Sequence, residues 1–294
     1  MVEILMSTYN GEKYLEEQLD SLFKQTYSKI KVLIRDDGSK DNTVEIIKRY
    51  IKDYNIKLIE GKNIGVIASY FELIKKSDSN CNYFVFCDQD DYWETPKVEK
   101  AIEKIKEKES KEEVGVAYCS NLKLVDKNLK FIKYQYKKNL KPSFENAIVE
   151  NIITGCTLVI NKKLRDKVLK DIDKINVNNI LMHDWYIYIV ASIVGEVIYD
   201  KESYIKYRQH GNNVVGMEVT LLGKFKKHIN NFKKYKGHRK RQTLEIFDHY
   251  KGFLNEQDSK IVIKLLNDKV FSGIRRQSKM MTLFTNILIF LKRY

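Results

Sequence analysis

A mainly parallel α/β sheet flanked by helices, with a basic helical extension behind it, is the architecture this sequence predicts. Three observations carry the prediction. Short β-rich runs alternate with amphipathic helical patterns through the first half, the polar residues of that half gather directly after the runs, and the excess positive charge lies beyond residue 216. Strands joined by helical crossovers pair in parallel, and such sheets bind ligands at the carboxyl ends of their strands.

The strand candidates, in order, are Val2–Ser7, Lys31–Arg35, Lys57–Ile59, Tyr83–Cys87 and Gly115–Ser120. Between them Leu15, Leu19, Leu22 and Phe23 fall on one helix face, as do Val44, Ile47 and Ile51, and then Phe71 and Ile74. Trp93 and Pro96 signal that a helix restarts after the fourth strand. The charged stretch Lys123–Lys141 reads as an exposed connector. In Asp184–Ser192, Trp185 to Val190 are apolar or aromatic all round, the pattern of a helix buried on most sides with Asp184 at its entry. Tyr204–Tyr207 reads as a strand running into Arg208-Gln209-His210-Gly211-Asn212-Asn213, and the chain beyond Met217 is helical and basic. The expected division is therefore a main domain of residues 1–216 and a helical region of 217–294.

With 294 residues, 43% of them hydrophobic, the chain can bury one sizeable core. Of the formal charge of +14, +12 resides in 217–294. Such a tail seeks phosphate, on a nucleic acid or on an anionic membrane leaflet. The run Met280–Leu291 is too short to span a bilayer. It can lie in the interface, or dock on the main domain as an ordinary apolar helix. The four cysteines form no C-x-x-C pair and suit a reducing cytoplasm, and no secretory leader pattern opens the sequence.

The strand ends carry Ser7-Thr8-Tyr9-Asn10, Asp36-Asp37-Gly38-Ser39 and Asp88-Gln89-Asp90-Asp91. Three carboxylates within four positions, directly after the apolar run Phe84–Cys87, are costly unless a cation or open solvent compensates. Asp88 and Asp90 would suit Mg²⁺ or Mn²⁺, which share their remaining positions with water and substrate phosphates. The bland alternative is a solvated turn. Ser39, Asp41 and Asn42 can simply cap the helix of Val44–Tyr50, but one cap does not need both Asp36 and Asp37. A carboxylate there can accept the N3–H of uracil or thymine while its neighbour meets a ribose hydroxyl, with the backbone of Thr8–Asn10 beside the base. Asn63 and Gly65 most simply form a turn before a helix. Asp184 can be a helix cap or a base, since an apolar surround raises a carboxyl pKa and lets it take a proton from a sugar hydroxyl. His210 is a structural histidine or a metal ligand.

In their order along the chain, Met6-Ser7-Thr8-Tyr9-Asn10-Gly11, Asp36-Asp37-Gly38-Ser39-x-Asp41-x-Thr43, Asn63-x-Gly65, Asp88-Gln89-Asp90-Asp91-x-Trp93 and His183-Asp184-Trp185 resemble the family 2 glycosyltransferases of GT-A fold. The likeness covers residues 1–216. The Asp-Gln-Asp-Asp-x-Trp form, with Tyr207–Asn213, is similar to the bacterial rhamnosyltransferase-like branch.

That resemblance implies an inverting, metal-dependent transfer from a nucleoside-diphosphate sugar. Thr8, Tyr9, Asp36 and Asp37 would hold the nucleoside, with Asn10 and Asn63 as further donor contacts. Asp88 and Asp90 would hold the ribose and a Mn²⁺ or Mg²⁺ ion, and His210 would complete the metal shell. Arg208 would neutralise phosphate charge, and Asp184 would be the catalytic base. The donor expected is a dTDP- or UDP-sugar, dTDP-rhamnose foremost. The acceptor expected is a glycan or lipid-linked glycan in bacterial surface polysaccharide assembly, met in the cytoplasm or at the inner face of the plasma membrane. The Gln-x-x-Arg-Trp motif of many processive members is absent from this sequence.

A sugar nucleotidyltransferase would need a glycine-rich phosphate loop with a lysine, and Ser7–Lys13 has only Gly11. A nucleic-acid binding protein could use the tail, but acidic strand ends repel a polyanion and no nucleic-acid module is recognisable. The chain contains neither G-x-G-x-x-G nor G-K-[ST], which removes dinucleotide-binding and P-loop readings.

Overall fold

The computed structural model describes residues 1–110, 114–210, 237–268 and 273–290. Gly211–Asn213, the 216/217 boundary, most of the basic Lys224–Arg241 stretch and the residues from Leu291 onward lie outside the described residues.

Strands β1 (Val2–Thr8), β2 (Ile30–Asp36), β3 (Ile56–Glu60) and β4 (Tyr83–Cys87) form a parallel unit in the order β3-β2-β1-β4. Helices α1 (Leu15–Phe23), α2 (Thr43–Tyr50) and α3 (Val66–Lys76) connect them as the hydrophobic spacing predicts. Because helices cover both faces, these strands are apolar almost continuously. Ile4, Met6 and Val85 face α1, α2 and α4 (Lys97–Glu109), while Leu5, Phe84 and Phe86 face α3 and the helices that follow.

The second half of the sheet is mixed. Strand β6 (Gly115–Val125) pairs in parallel with β9 (Gly195–Arg208), and β8 (Val159–Asn161) lies antiparallel between β4 and β6. The short β5 (Tyr92–Trp93) pairs with the end of β9. Three expectations need correction here. Lys123–Lys141 is not a plain connector, because it holds the end of β6 and its hairpin partner β7 (Phe131–Tyr134). Trp93 belongs to β5, and the helix after it starts at Lys97, behind Pro96 at the cap. Tyr204–Tyr207 is only the last part of a 14-residue strand. Long-range ladder pairing decides each of these, and local pattern does not report it.

Helices α5 (Phe144–Ala147), α6 (Lys162–Asp171) and α7 (His183–Val194) pack on the face opposite α1. The core of α7 is enclosed as its sequence predicts, with every residue from His183 to Ala191 buried. Part of the enclosure comes from α8 (His238–Tyr250), α9 (Glu256–Leu266) and α10 (Lys279–Phe290), which add Ile246, Tyr250, Val262, Leu265 and Ile289 to the same core. The hydroxyls of Tyr186 and Tyr250 meet at 3.1 Å inside it. Tyr186→Phe is expected to leave the Tyr250 hydroxyl short of a partner and to cost about 1–2 kcal/mol, read as a lower urea midpoint with unchanged m-value. Among the described residues no helix is long and apolar enough to cross a membrane, and the four cysteines are free and buried.

Candidate active site

The carboxyl ends of β1, β2 and β4 converge, and so do the polar sequences they carry. Register places Thr8 beside Asp36 and Met6 beside Cys87. Thr8 is fully buried and donates its hydroxyl to Asp36 Oδ2 at 2.9 Å. The same carboxylate accepts the Ser39 hydroxyl at 2.6 Å and the backbone N–H groups of Gly38 and Ser39 at 3.1 and 2.8 Å. A carboxylate has about four lone-pair positions, so Asp36 is saturated.

Asp37 is used differently. It accepts Ile64 N–H at 2.8 Å and Gly65 N–H at 2.9 Å, and it pairs with buried Arg35 at 2.5 Å. By the same count it keeps one acceptor position. Asn63 is exposed on the 61–65 loop that Asp37 clamps. Gly65, at φ +84°, supplies the left-handed turn into α3.

Tyr9 and Asn10 are exposed above these acids, with Asn10 at φ 47°. Sequence reasoning missed what holds them. The Gln89 amide accepts Tyr9 N–H at 2.8 Å and donates to Tyr9 O at 3.0 Å, a two-bond staple between the loop after β1 and the turn after β4. Gly11 makes room for it, since a Cβ there would stand 2.3 Å from Gln89 Oε1. The only sequence signal was that Gln89 sits inside the aspartate motif. Gln89→Ala is expected to weaken nucleotide affinity about tenfold in calorimetry, the value of two lost hydrogen bonds, and Gln89→Glu to weaken it as well because Glu cannot donate to Tyr9 O.

The three aspartates after β4 divide their roles. Asp88 accepts from the Tyr70 hydroxyl at 3.0 Å. Burial first, and then the charge of Asp90, push its carboxyl up to about 7. Asp90 Oδ2 lies 2.8 Å from His210 Nε2, just past the end of β9. Asp91 is fully buried, accepts Arg208 N–H at 3.2 Å, and is pushed well upward chiefly by burial.

Arg208, the residue expected to neutralise phosphate charge, is buried. Its guanidinium is 2% exposed and turned onto Asp90 O at 3.0 Å, Lys127 O at 2.6 Å and Glu17, over the Tyr14 ring. In this arrangement it fixes the aspartate turn to β9 and the β6–β7 hairpin.

For a divalent ion, Asp88, Asp90 and His210 offer hard oxygens and one imidazole, a donor set that suits Mn²⁺ or Mg²⁺. The fit shows in two observations: His210 and Asp90 already meet, and Asp88 carries a charge penalty that a cation would relieve. Among the described residues, the three-residue grouping whose ligand atoms all lie within 4.8 Å of one another is Asp88, Asp91 and Cys156, not Asp88, Asp90 and His210. That grouping is less apt, because burial holds the Cys156 thiol well above its ordinary pKa.

Asp184, the second residue of α7, is buried against this set. Burial pushes its carboxyl up to about 7, against the lowering pull of Trp185 N–H, Asn151 and Gly155. Asn151 Nδ2 donates to its Oδ1 at 3.1 Å. Its charge adds to that raising the Asp88 pKa, so the two carboxylates share one field. His183 stacks on Tyr70 at 3.8 Å between centroids, with burial holding its pKa down at about 3, so the imidazole is neutral. A Cβ on Gly155 would stand 2.9 Å from His183 Nε2, so only glycine allows this approach. Asn151, Gly155 and Tyr70 carried no recognisable signal in the sequence.

Comparison with known proteins agrees with the geometry. The profile of "Glycosyl transferase family 2" matches residues 3–169. The chain is 34% identical over 238 residues to the dTDP-rhamnosyl transferase RfbG of Shigella flexneri, covering 76% of this chain and 77% of that protein. It is 27% identical over 230 residues to an uncharacterised glycosyltransferase of Rickettsia typhi, covering 76% and 69%. Among solved structures, S. aureus TarS in complex with UDP-GlcNAc aligns with TM-score 0.63 at 17% identity over 99% of this chain and 81% of that one. The mannosyltransferase PcManGT of Pyrobaculum calidifontis, in complex with GDP-Man and Mn²⁺, aligns with TM-score 0.57 at 15% identity over 99% and 74%. These neighbours support the GT-A fold. With a family profile over more than half its length and a relative 34% identical across 76% of it, the chain belongs to the family 2 glycosyltransferases and is a glycosyltransferase.

Proposed function

We propose that the protein transfers a sugar, with inversion, from a nucleoside-diphosphate donor to a glycan or lipid-linked glycan hydroxyl. The placement of Asp184 supports the mechanism: its carboxyl is buried at the entry of α7, burial pushes it up to about 7, and its charge reaches Asp88, next to the Asp90 carboxylate that meets His210. Asp184 takes the proton of the acceptor hydroxyl as its oxygen bonds to the anomeric carbon, and the bond from that carbon to the diphosphate oxygen breaks on the opposite side. Asp37, Tyr9 and Asn10 bind the nucleoside, and Gln89 keeps them in register with the aspartate turn. Asp88, Asp90 and His210 would hold Mn²⁺ or Mg²⁺. When bound, the ion neutralises charge that builds on the departing diphosphate.

The donor proposed is dTDP-rhamnose, supported by the named activity of the 34% identical relative, with UDP-sugars as the second class. The setting proposed is surface polysaccharide synthesis at an anionic membrane, supported by the +12 charge of 217–294. A thermal-shift screen of dTDP-rhamnose, UDP-GlcNAc and GDP-mannose, each with and without Mn²⁺, tests the donor. The expected result is stabilisation by the thymidine nucleotide sugar and only with the metal; stabilisation by a guanosine sugar alone would overturn it.

A further inference from the structure

Helix α10 is amphipathic in the opposite sense to a helix that ends at water. Its buried positions are Thr285, Asn286 and Ile289, two of the three polar. Met280, Leu283 and Ile287, spaced three and four apart on the other face, are 74, 64 and 45% exposed. The helix cannot roll to hide them. Arg276 N–H donates to Thr282 Oγ1 at 2.9 Å, Gln277 N–H and the Arg276 guanidinium bond Glu150 at 2.8 and 3.1 Å, and Ile289 is fully buried in the core. An apolar row held at the surface in this way marks a contact site.

The surroundings of the row say what it contacts. Arg275 and Lys279 are exposed at its N-terminal end. Lys137, Lys138 and Lys141 are exposed on the segment that grips the same end, where Lys138 Nζ donates to Gln277 O and the Lys141 backbone exchanges hydrogen bonds with the Gln277 amide. Lys292 and Arg293 follow the helix in sequence. Of the nearby acids, Glu150 is committed to Arg276 and Gln277, and Glu145 is partly buried. In a two-fold pair of chains these cationic rims would face each other and repel. A bilayer carrying phosphates at its rim and acyl chains beneath matches both features.

We propose that α10 lies flat in an anionic membrane leaflet, with Met280, Leu283 and Ile287 among the acyl chains and the surrounding lysines and arginines on lipid phosphates. This rests on the reading of the basic region as facing an anionic membrane, and not on the transfer reaction. Twelve residues give a helix about 18 Å long, enough to lie in the interface and too short to cross it.

Flotation of the full chain with phosphatidylglycerol/phosphatidylcholine vesicles and with pure phosphatidylcholine vesicles tests the proposal. Wild type is expected to float with the anionic vesicles only. Met280→Ser/Leu283→Ser/Ile287→Ser is expected to cut the bound fraction at least tenfold with an unchanged melting temperature. If that triple variant floats like wild type, the face is wrong while the membrane reading stands; if wild type does not float, both fall. A wild-type dimer that the serine variant converts to monomer in light scattering would overturn the lipid assignment. Should the serine variant not fold, Leu283→Trp decides: its emission should shift to the blue and be quenched by brominated lipid on anionic vesicles, and no shift overturns the proposal.

Discussion

Asp184→Asn is expected to lower turnover by about 10²–10⁴, the usual contribution of a positioned base, while affinity for a nucleoside diphosphate stays within about twofold. The carboxyl is buried on α7 and receives hydrogen bonds from Asn151 and Trp185, so an amide fits the same space. Turnover and nucleotide calorimetry on one preparation check both halves of the claim. Retention of wild-type turnover would remove Asp184 from the mechanism. The pH dependence follows from the raised pKa. A base works only when ionised, so kcat/KM should rise with pH through about 7 and level off above it. Stability runs the other way. The folded carboxyl keeps its proton up to about 7 and the unfolded one loses it near 3.8, so this group's contribution falls as pH rises between those values and is flat beyond them. Asn escapes that cost, and the variant should melt no lower than wild type at pH 8.

Asp90→Ala should produce the second large loss, at least about 10² in turnover, the equivalent of several kcal/mol of stabilisation of the leaving diphosphate. Asp90 is the carboxylate that meets His210, and its charge also helps to raise the Asp88 pKa. Removing it should therefore abolish Mn²⁺-dependent nucleotide binding while letting Asp88 ionise at lower pH. Chelation of wild type should reproduce the loss of turnover, and the residual activity of Asp90→Ala should not respond to chelator. His210→Ala should fall between the two, because it removes one donor and leaves both carboxylates. A variant as active and as chelator-sensitive as wild type would show that the ion, if bound, is held elsewhere.

The two residues behind these predictions are legible in the amino-acid sequence, and the reason is physical. An apolar run ending in clustered carboxylates, or a carboxylate opening an all-apolar helix, is costly without a compensating function, so it stands out against ordinary folding constraints. The division of labour between Asp36 and Asp37 is not legible there. Both follow the same strand, and only the backbone N–H groups of Gly38, Ser39, Ile64 and Gly65, brought in from two loops, saturate one and spare the other. The protein partners of Arg208 are not legible there either, since Glu17, Lys127 and the Asp90 carbonyl reach it from distant parts of the chain.

Local periodicity determined the strands β1 to β4 and the helices between them, because each of these elements declares its buried faces within a few residues, while their order β3-β2-β1-β4 came from pairing. Tertiary contact alone decided where β8 inserts, how far β6 and β9 extend, and which side of α10 is left outward. Those outcomes depend on partners many residues away, and a residue's own neighbours in sequence carry no record of which distant surface will take it out of water.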